Sequence, residues 1–322
     1  MFSKTAMNLF IGAVALLLIS SPSPAETHWE IQTVDANGVG TFSGSATVIG
    51  VILNNHENML DSTYNAPGWM GAQWQIFIQS VEVQDYAGTA CWMGQKYGNF
   101  PFNPDIESYT EAEWAGEMNR LNYDPGTGHH FRRGDLVQVA ANFTGFYGGK
   151  TNINEGHKKS VLMDFDITLV QSGYGLPTPE VITLAMVMDP DDGDANTHED
   201  IFDQTRLSGG EYYQGRYVRI NELTIVDSSG WGQEAWGSRI CTVTDGTGRI
   251  FKLRMPRGSM VDLGDVPTGE FDVIGIFNQE SDSGADGTFG YELYVTEVIP
   301  EPACVSLLTI SGLALLRRKQ ER

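Results

Sequence analysis

Two groups of residues in this sequence have the types and spacing to do chemistry. The first is an acidic stretch from Asp189 to Asp203. Counted from Asp192, side-chain oxygens recur at Asp192, Asp194 and Asn196, then at Asp200 and Asp203. Oxygen ligands at positions 1, 3, 5, 9 and 12 of a loop converge on a hard cation, so bound calcium is the chemistry this spacing offers. Thr197 stands where the sharp turn of such a loop takes glycine. The same residues also make an ordinary solvated loop. Glu280 to Gly287 is a second acidic loop.

The second group is basic. Arg206, Arg216, Arg219, Arg239, Arg249, Lys252, Arg254 and Arg257 gather in a chain whose formal net charge is −21, with Tyr212, Tyr213, Tyr217 and Phe251 among them. Guanidinium groups can hold phosphate or uronate, and tyrosine can stack on a base or a sugar ring. Arg219, Lys252, Arg254, Tyr213 and Tyr217 are therefore the candidate ligand-binding residues, for acidic extracellular polysaccharide or single-stranded nucleic acid. The alternative is a charged outer strand face balanced by Glu211, Glu222 and Asp272. Alternation over Arg249–Met255 places Ile250, Lys252 and Arg254 on one face. Phe251, Leu253 and Met255 fall on the other, which is the core face.

Other chemistry is harder to find. His129 and His130 are adjacent and point to opposite sides of a strand, and His56, His157 and His198 have no partner at metal-ligand spacing. Arg133-Gly134-Asp135 reads as a strand-opening turn. Nucleophile elbow, zinc motif and phosphate loop are all missing. The expectation is a non-catalytic protein without a cofactor other than calcium. A divergent hydrolase is the weaker alternative, and its sign would be a buried carboxylate pair in a cleft. The negative charge argues against DNA as the main partner.

The elements that must position these groups are strands. Runs rich in Val, Ile, Phe, Tyr and Thr, bounded by Gly, Asp, Asn or Pro, predict Ala46–Leu53, Gln73–Val83, Thr89–Met93, Leu136–Phe146 and Val161–Val170. A second set is Tyr217–Val226, Arg239–Thr244, Arg249–Met255, Phe271–Asn278 and Tyr291–Val298. The two sets form a divergent repeat. Val83 to Met93, with its Asp85-Tyr-Ala-Gly88 turn, parallels Val243 to Leu253, with Asp245-Gly-Thr-Gly248. Gly134 to Val139 parallels Gly269 to Ile274. The first copy is longer between its third and fourth strands, where Thr110-Glu-Ala-Glu113 is a capping box that predicts a helix over about 110–121. Gly175-Leu-Pro177-Thr-Pro179 reads as the linker.

Five strands with a helix allowed between the third and fourth is the order of the OB fold, and Gln214–Val298 resembles the OB-like modules of bacterial exported proteins. The resemblance is carried by Gly215-Arg-Tyr-Val-Arg-Ile220, Thr244-Asp-Gly-Thr-Gly248 and Thr268-Gly-Glu-Phe-Asp-Val-Ile-Gly275. It implies a mainly β protein of two OB-like five-stranded barrels in tandem, over 26–176 and 177–298. It also implies a ligand face on the second and third strands. A β-sandwich or jelly roll is the competing architecture.

The ends read as processing signals. Lys4, an apolar run from Leu9 to Ile19 and small residues up to Ala25 predict a signal peptide over 1–25, cleaved after Ala25. From 299 to 322 the chain carries Pro300-Glu301-Pro302, an apolar stretch from Ala303 to Leu316, then Arg317, Arg318 and Lys319. These three parts, in this order, closely resemble the PEP-CTERM sorting signal (also known as the ice-binding protein C-terminal domain). The resemblance implies a single membrane helix, transient contact with a bacterial exosortase and the inner membrane, and cutting near Pro-Glu-Pro. The product would reside in the cell envelope or extracellular matrix. An ordinary C-terminal anchor is the alternative.

Overall fold

A computed structural model describes residues 26–68, 70–97, 108–156, 159, 164–194, 198–281 and 286–300. The expected signal peptide over 1–25 with Ala25, the stretch 301–322 with Glu301, Pro302, Arg317, Arg318 and Lys319, and Asn196 lie outside the described residues. Among the described residues no helix is long and apolar enough to cross a membrane.

The protein is mainly β. Its first seven strands are β1 (Ala46–Ile52), β2 (Gln73–Gln79), β3 (Gly88–Gly94), β4 (Leu136–Ala141), β5 (Thr144–Tyr147), β6 (Lys150–Ile153) and β7 (Phe165–Gln171). They form one sheet in the order β5-β6-β3-β2-β1-β4-β7. The next six are β8 (Glu180–Ile182), β9 (Tyr217–Asp227), β10 (Ile240–Thr244), β11 (Phe251–Arg254), β12 (Phe271–Gln279) and β13 (Tyr291–Pro300). Here β9-β10-β11-β13-β12 close into a five-stranded barrel, because β9 pairs with both β10 and β12. β11 runs parallel to β13, and β8 is added outside β9. Among the described residues are four α-helices: α1 (His28–Ile31), α2 (His56–Met59), α3 (Glu111–Asn122) and α4 (Gly209–Tyr213). Thr110 and Glu113 close the capping box of α3, and Trp114 and Leu121 are its buried side.

The first sheet repeats much of the barrel's pairing. β1 pairs with β2 and β4, β2 with β3, and β3 runs parallel to β6. In place of one long fourth strand, β4 and β5 are separated by Asn142 and Phe143; β4 pairs with β1 and β5 with β6. The strand expected over Leu136–Phe146 is thus two strands in two pairings. β6 is too short and polar, and β8 too short, to stand out by composition.

Period-two alternation builds two cores. In β2, Trp74, Ile76 and Ile78 enter the first; in β11 and β13, Phe251, Leu253, Leu293 and Val295 enter the second, as alternation requires. Cys91 lies in the first core and Cys241 in the second, both as free thiols. They act as small apolar side chains.

The final strand, expected to end at Val298, runs through Ile299 to Pro300, which pairs with Phe271. A proline in the last strand position gives up only one N–H, at the frayed end of the ladder. The two units are also in contact. Leu53, Met59, Leu60, Phe77 and Ala90 pack against Tyr217, Ile274, Ile276 and Tyr294 in a third apolar cluster between them. Around it, Arg257 N donates to Asn58 O at 2.8 Å, and the Arg206 guanidinium lies 4.1 Å over the Trp29 ring. The barrel also donates from Tyr217 N to Gln79 Oε1 at 2.8 Å.

Candidate functional site: a cleft between the two β units

The outer face of β2 carries Gln73, Gln75 and Phe77, the alternate set to its core residues. Phe77 joins the inter-unit apolar cluster, and Gln73 and Gln75 continue the same face into a cleft of about 450 Å³. β3 contributes Trp92, register partner of Gln75. β6 contributes Lys150 and Asn152, and Asn154 follows just past it. The barrel side supplies Glu280, just past β12, Tyr294 from β13 and Trp236 from the loop before β10. Leu60, Met70 and Tyr147 complete the wall. The volume falls within the range of about 300–1,000 Å³ typical of small-molecule sites.

Local packing fixes the two indoles. Trp92 Nε1 donates to Gln73 Oε1 at 3.3 Å, and the ring lies over Gly94, where a Cβ would come within 2.8 Å of it. Trp236 is sandwiched differently: the Arg254 guanidinium sits 4.0 Å from its ring and donates to its carbonyl at 3.0 Å. Arg254 is in turn held by Glu292, with Nε at 2.9 and 3.1 Å from the two carboxylate oxygens. Tyr294 meets Trp236 edge-on at 5.8 Å.

The polar groups of the cleft lining are four side-chain amides, an ammonium and a carboxylate, beside the tyrosine hydroxyls. Lys150 Nζ donates to Gln279 O at 2.6 Å and to Glu280 Oε1 at 2.7 Å. The same oxygen accepts from Tyr294 Oη at 3.1 Å. The cleft's cation is therefore already committed. Gln75 Oε1 and Asn152 Oδ1 are buried without a hydrogen-bond partner among the described residues. Their residues are only 4% and 6% exposed.

The residues singled out from sequence do not assemble into one exposed face. Tyr213, Tyr217 and Arg254 are buried, Arg219 pairs with Asp272, and Lys252 stands exposed on β11. Tyr217 packs between the units under the Arg133 guanidinium, 5.5 Å away. Arg254 reaches the cleft only by bracing Trp236. In the first unit, the second and third strands do line the cleft; the sequence reading had placed that role on the second unit. Gln75, Asn152 and Trp92 were missed because polar and aromatic residues on an outer strand face read as solvent-facing. Glu280 and Tyr294, on the other side of the cleft, lie over a hundred residues away in sequence.

Among the described residues of the acidic loop, Asp192, Asp194, Asp200 and Asp203 do not form one cluster. Asp192 Oδ1 accepts from Asp194 N at 2.7 Å in a tight turn. Asp200 accepts from Gly290 N at 2.7 Å, and burial raises its pKa. Asp203 caps a separate turn through Thr205 and Ser208, and the Thr205 hydrogen bond leads in lowering its pKa. The carboxylates that do approach one another are Asp191, Asp192 and Glu199, within 4.8 Å. Arg133-Gly134-Asp135 forms the expected turn into β4: Asp135 N donates to Arg132 O at 3.0 Å, and Gly134 has φ +91°. Compared with known proteins, the chain matches no family model, no curated protein and no solved structure.

Proposed function

We propose that the protein is an exported, non-catalytic binding protein of the cell envelope or extracellular matrix, which holds a saccharide in the cleft between its two β units. One observation carries this reading: two indoles, Trp92 and Trp236, share the cleft with the side-chain amides of Gln73, Gln75, Asn152 and Asn154. Aromatic surface with a few placed polar groups suits a ring with an apolar face and a hydroxyl rim. A hydrolase is not favoured. The described cleft lining offers one carboxylate, Glu280, which Lys150 neutralises, whereas glycoside hydrolysis ordinarily uses two. The pairing pattern shared by the two sheets supports reading both units as OB-like modules, the first with a broken fourth strand. Export and sorting rest on the terminal sequences, with Pro300-Glu301-Pro302 and Arg317–Lys319 as the PEP-CTERM signal for an exosortase.

The test is a glycan-binding screen of the full-length chain beside its Trp92→Ala variant. Binding by the wild type and its loss in the variant support the reading. A wild type that binds no glycan, or a variant that binds as well, contradicts it.

A further inference from the structure

Resting on that reading of the cleft, we infer that Arg254 and Arg239 are positioning residues: two buried guanidinium groups that fix the Trp236 indole as a stacking wall of the binding site. Trp236 does not stand on a strand. It lies on a single turn, Trp236–Ser238, in the connection from β9 to β10, and that turn has no side-chain cap. The indole is half-buried against the inter-unit apolar cluster. Apolar contact is non-directional, so it keeps the ring near the seam without setting its orientation. A wall that must be ordered by its ligand weakens binding by the cost of that ordering.

The two arginines supply the direction. The Arg254 guanidinium lies 4.0 Å from the ring centroid, and its Nη1 donates to the Trp236 carbonyl at 3.0 Å. One planar group thus grips both the ring and the backbone of one residue. Arg254 is itself immobilised, since both oxygens of Glu292 accept from its Nε and Asn278 Nδ2 donates to Glu292 Oε1 at 3.2 Å. These residues stand on β11, β13 and β12, three neighbouring strands of the barrel wall. Arg239 lies 5.2 Å from the same ring centroid. Its backbone N–H donates to Trp236 O at 3.4 Å, and its side chain donates to Met255 O at 2.8 Å and to Met59 O. Met59 belongs to the first unit and precedes Leu60 of the cleft lining. Arg254 therefore holds the indole to the barrel, and Arg239 holds its turn against the first unit.

Burial makes the arrangement informative. Arg239 is 1% exposed, Arg254 8% and Glu292 1%. The Arg239 side chain bonds to carbonyl oxygens rather than to a carboxylate, and burial pushes its pKa down to about 10. Charges buried in this way cost stability compared with well-packed apolar groups, so sealing the seam does not by itself call for them. Guanidinium has the two properties that the site uses, a flat cationic face for an aromatic ring and a fork of donors for carbonyls and a carboxylate.

The test has a ligand-free arm and a binding arm, both on the full-length chain. Arg254→Met is combined with Glu292→Leu, so that no carboxylate is left buried without its cation. In protein labelled with fluorotryptophan, the resonance lost in Trp236→Phe reports on this one indole. In Arg254→Met/Glu292→Leu, and again in Arg239→Met, that resonance should move towards the value of the free amino acid while the other tryptophan signals stay in place. For the binding arm, gluco-, manno- and galacto-configured hexasaccharides are titrated calorimetrically. Trp236→Ala and Arg254→Met/Glu292→Leu should each raise the Kd about tenfold. The triple variant should bind no more weakly than Trp236→Ala, because the arginine acts through the indole. A Trp236 resonance that keeps its wild-type position, a change spread over all the tryptophan signals, or losses that add in the triple variant would each overturn the inference and leave the cleft as the site. Absence of binding by every hexasaccharide overturns the saccharide reading, and the Trp236 resonance then decides the positioning role by itself.

Discussion

Gly88 and Gly215 lie backbone against backbone where the two β units meet. Gly88 N donates to Gln214 O at 3.2 Å, and a Cβ on Gly215 would fall 2.7 Å from Gly88 Cα. Gly215 also has φ +72°, a conformation that side chains rarely take. Gly215→Ala should therefore cost about 3 kcal/mol, combining backbone strain with overpacking. Denaturant unfolding followed by tryptophan fluorescence and by far-ultraviolet circular dichroism should give one coincident transition in the wild type. Two separate transitions would mean that the units fold independently.

Glu155 gives the protein a pH dependence of defined sign. It is fully buried and accepts hydrogen bonds from the hydroxyls of Tyr97 and Tyr109. Burial pushes its pKa up to about 8, against the two tyrosine hydrogen bonds. Above the ordinary glutamate value the unfolded chain loses a proton that the folded chain keeps. Stability from this group is thus fully present below about pH 4.5 and falls as pH rises towards about 8. Glu155→Gln should flatten that slope, by at most about 1.4 kcal/mol per pH unit. The measurement is denaturant stability of both proteins at a series of pH values; equal slopes would refute the assignment.

Lys150 ties β6 to the end of β12 through Glu280 and Gln279. Lys150→Met should lower stability by about 2 kcal/mol, below the usual cost of breaking a fully buried pair because Glu280 stays partly in water. The loss should change little with salt, since the ammonium is buried. A loss that vanishes in high salt would mark the pair as a surface contact.

Cys91 and Cys241 sit in different cores, so no bridge joins them. Burial pushes the Cys241 thiol up to about 11 and the Cys91 thiol higher still. Reductant should leave the melting temperature unchanged, and both thiols should resist alkylation until the protein unfolds. Rapid labelling of the native protein at either position would contradict the packing.

Removal of residues 301–322 should preserve the β signal in circular dichroism and release the protein from the membrane fraction. Pro300→Ala with Pro302→Ala should block processing while membrane insertion persists. Retention of the truncated chain in membranes, or loss of its β signal, would count against the sorting role of this segment.

The strands were legible in the sequence because their inner residues alternate with turn-bounded regularity. Trp74, Ile76 and Ile78 announce β2, and Phe251 and Leu253 announce β11. The cleft was not legible because alternation marks a face without naming what covers it. Gln73, Gln75 and Trp92 read as a solvent face until β12 and β13 are laid opposite. The arginines misled for a related reason. Charge spacing along a strand does not reveal partners supplied from elsewhere, such as Glu180 for Arg216 or the Met59 carbonyl for Arg239. The Arg219–Asp272 pair was within reach, because both partners lie on outer strand faces.

The position of β13 has a mechanical consequence. This strand leads directly into residue 301, yet it lies inside the barrel wall, with β12 on one flank and β11 on the other. A tether attached beyond Pro300 would pull along the strand and load both ladders in shear at once. Hydrogen bonds loaded together resist force far better than bonds opened one after another, as at a zipped edge.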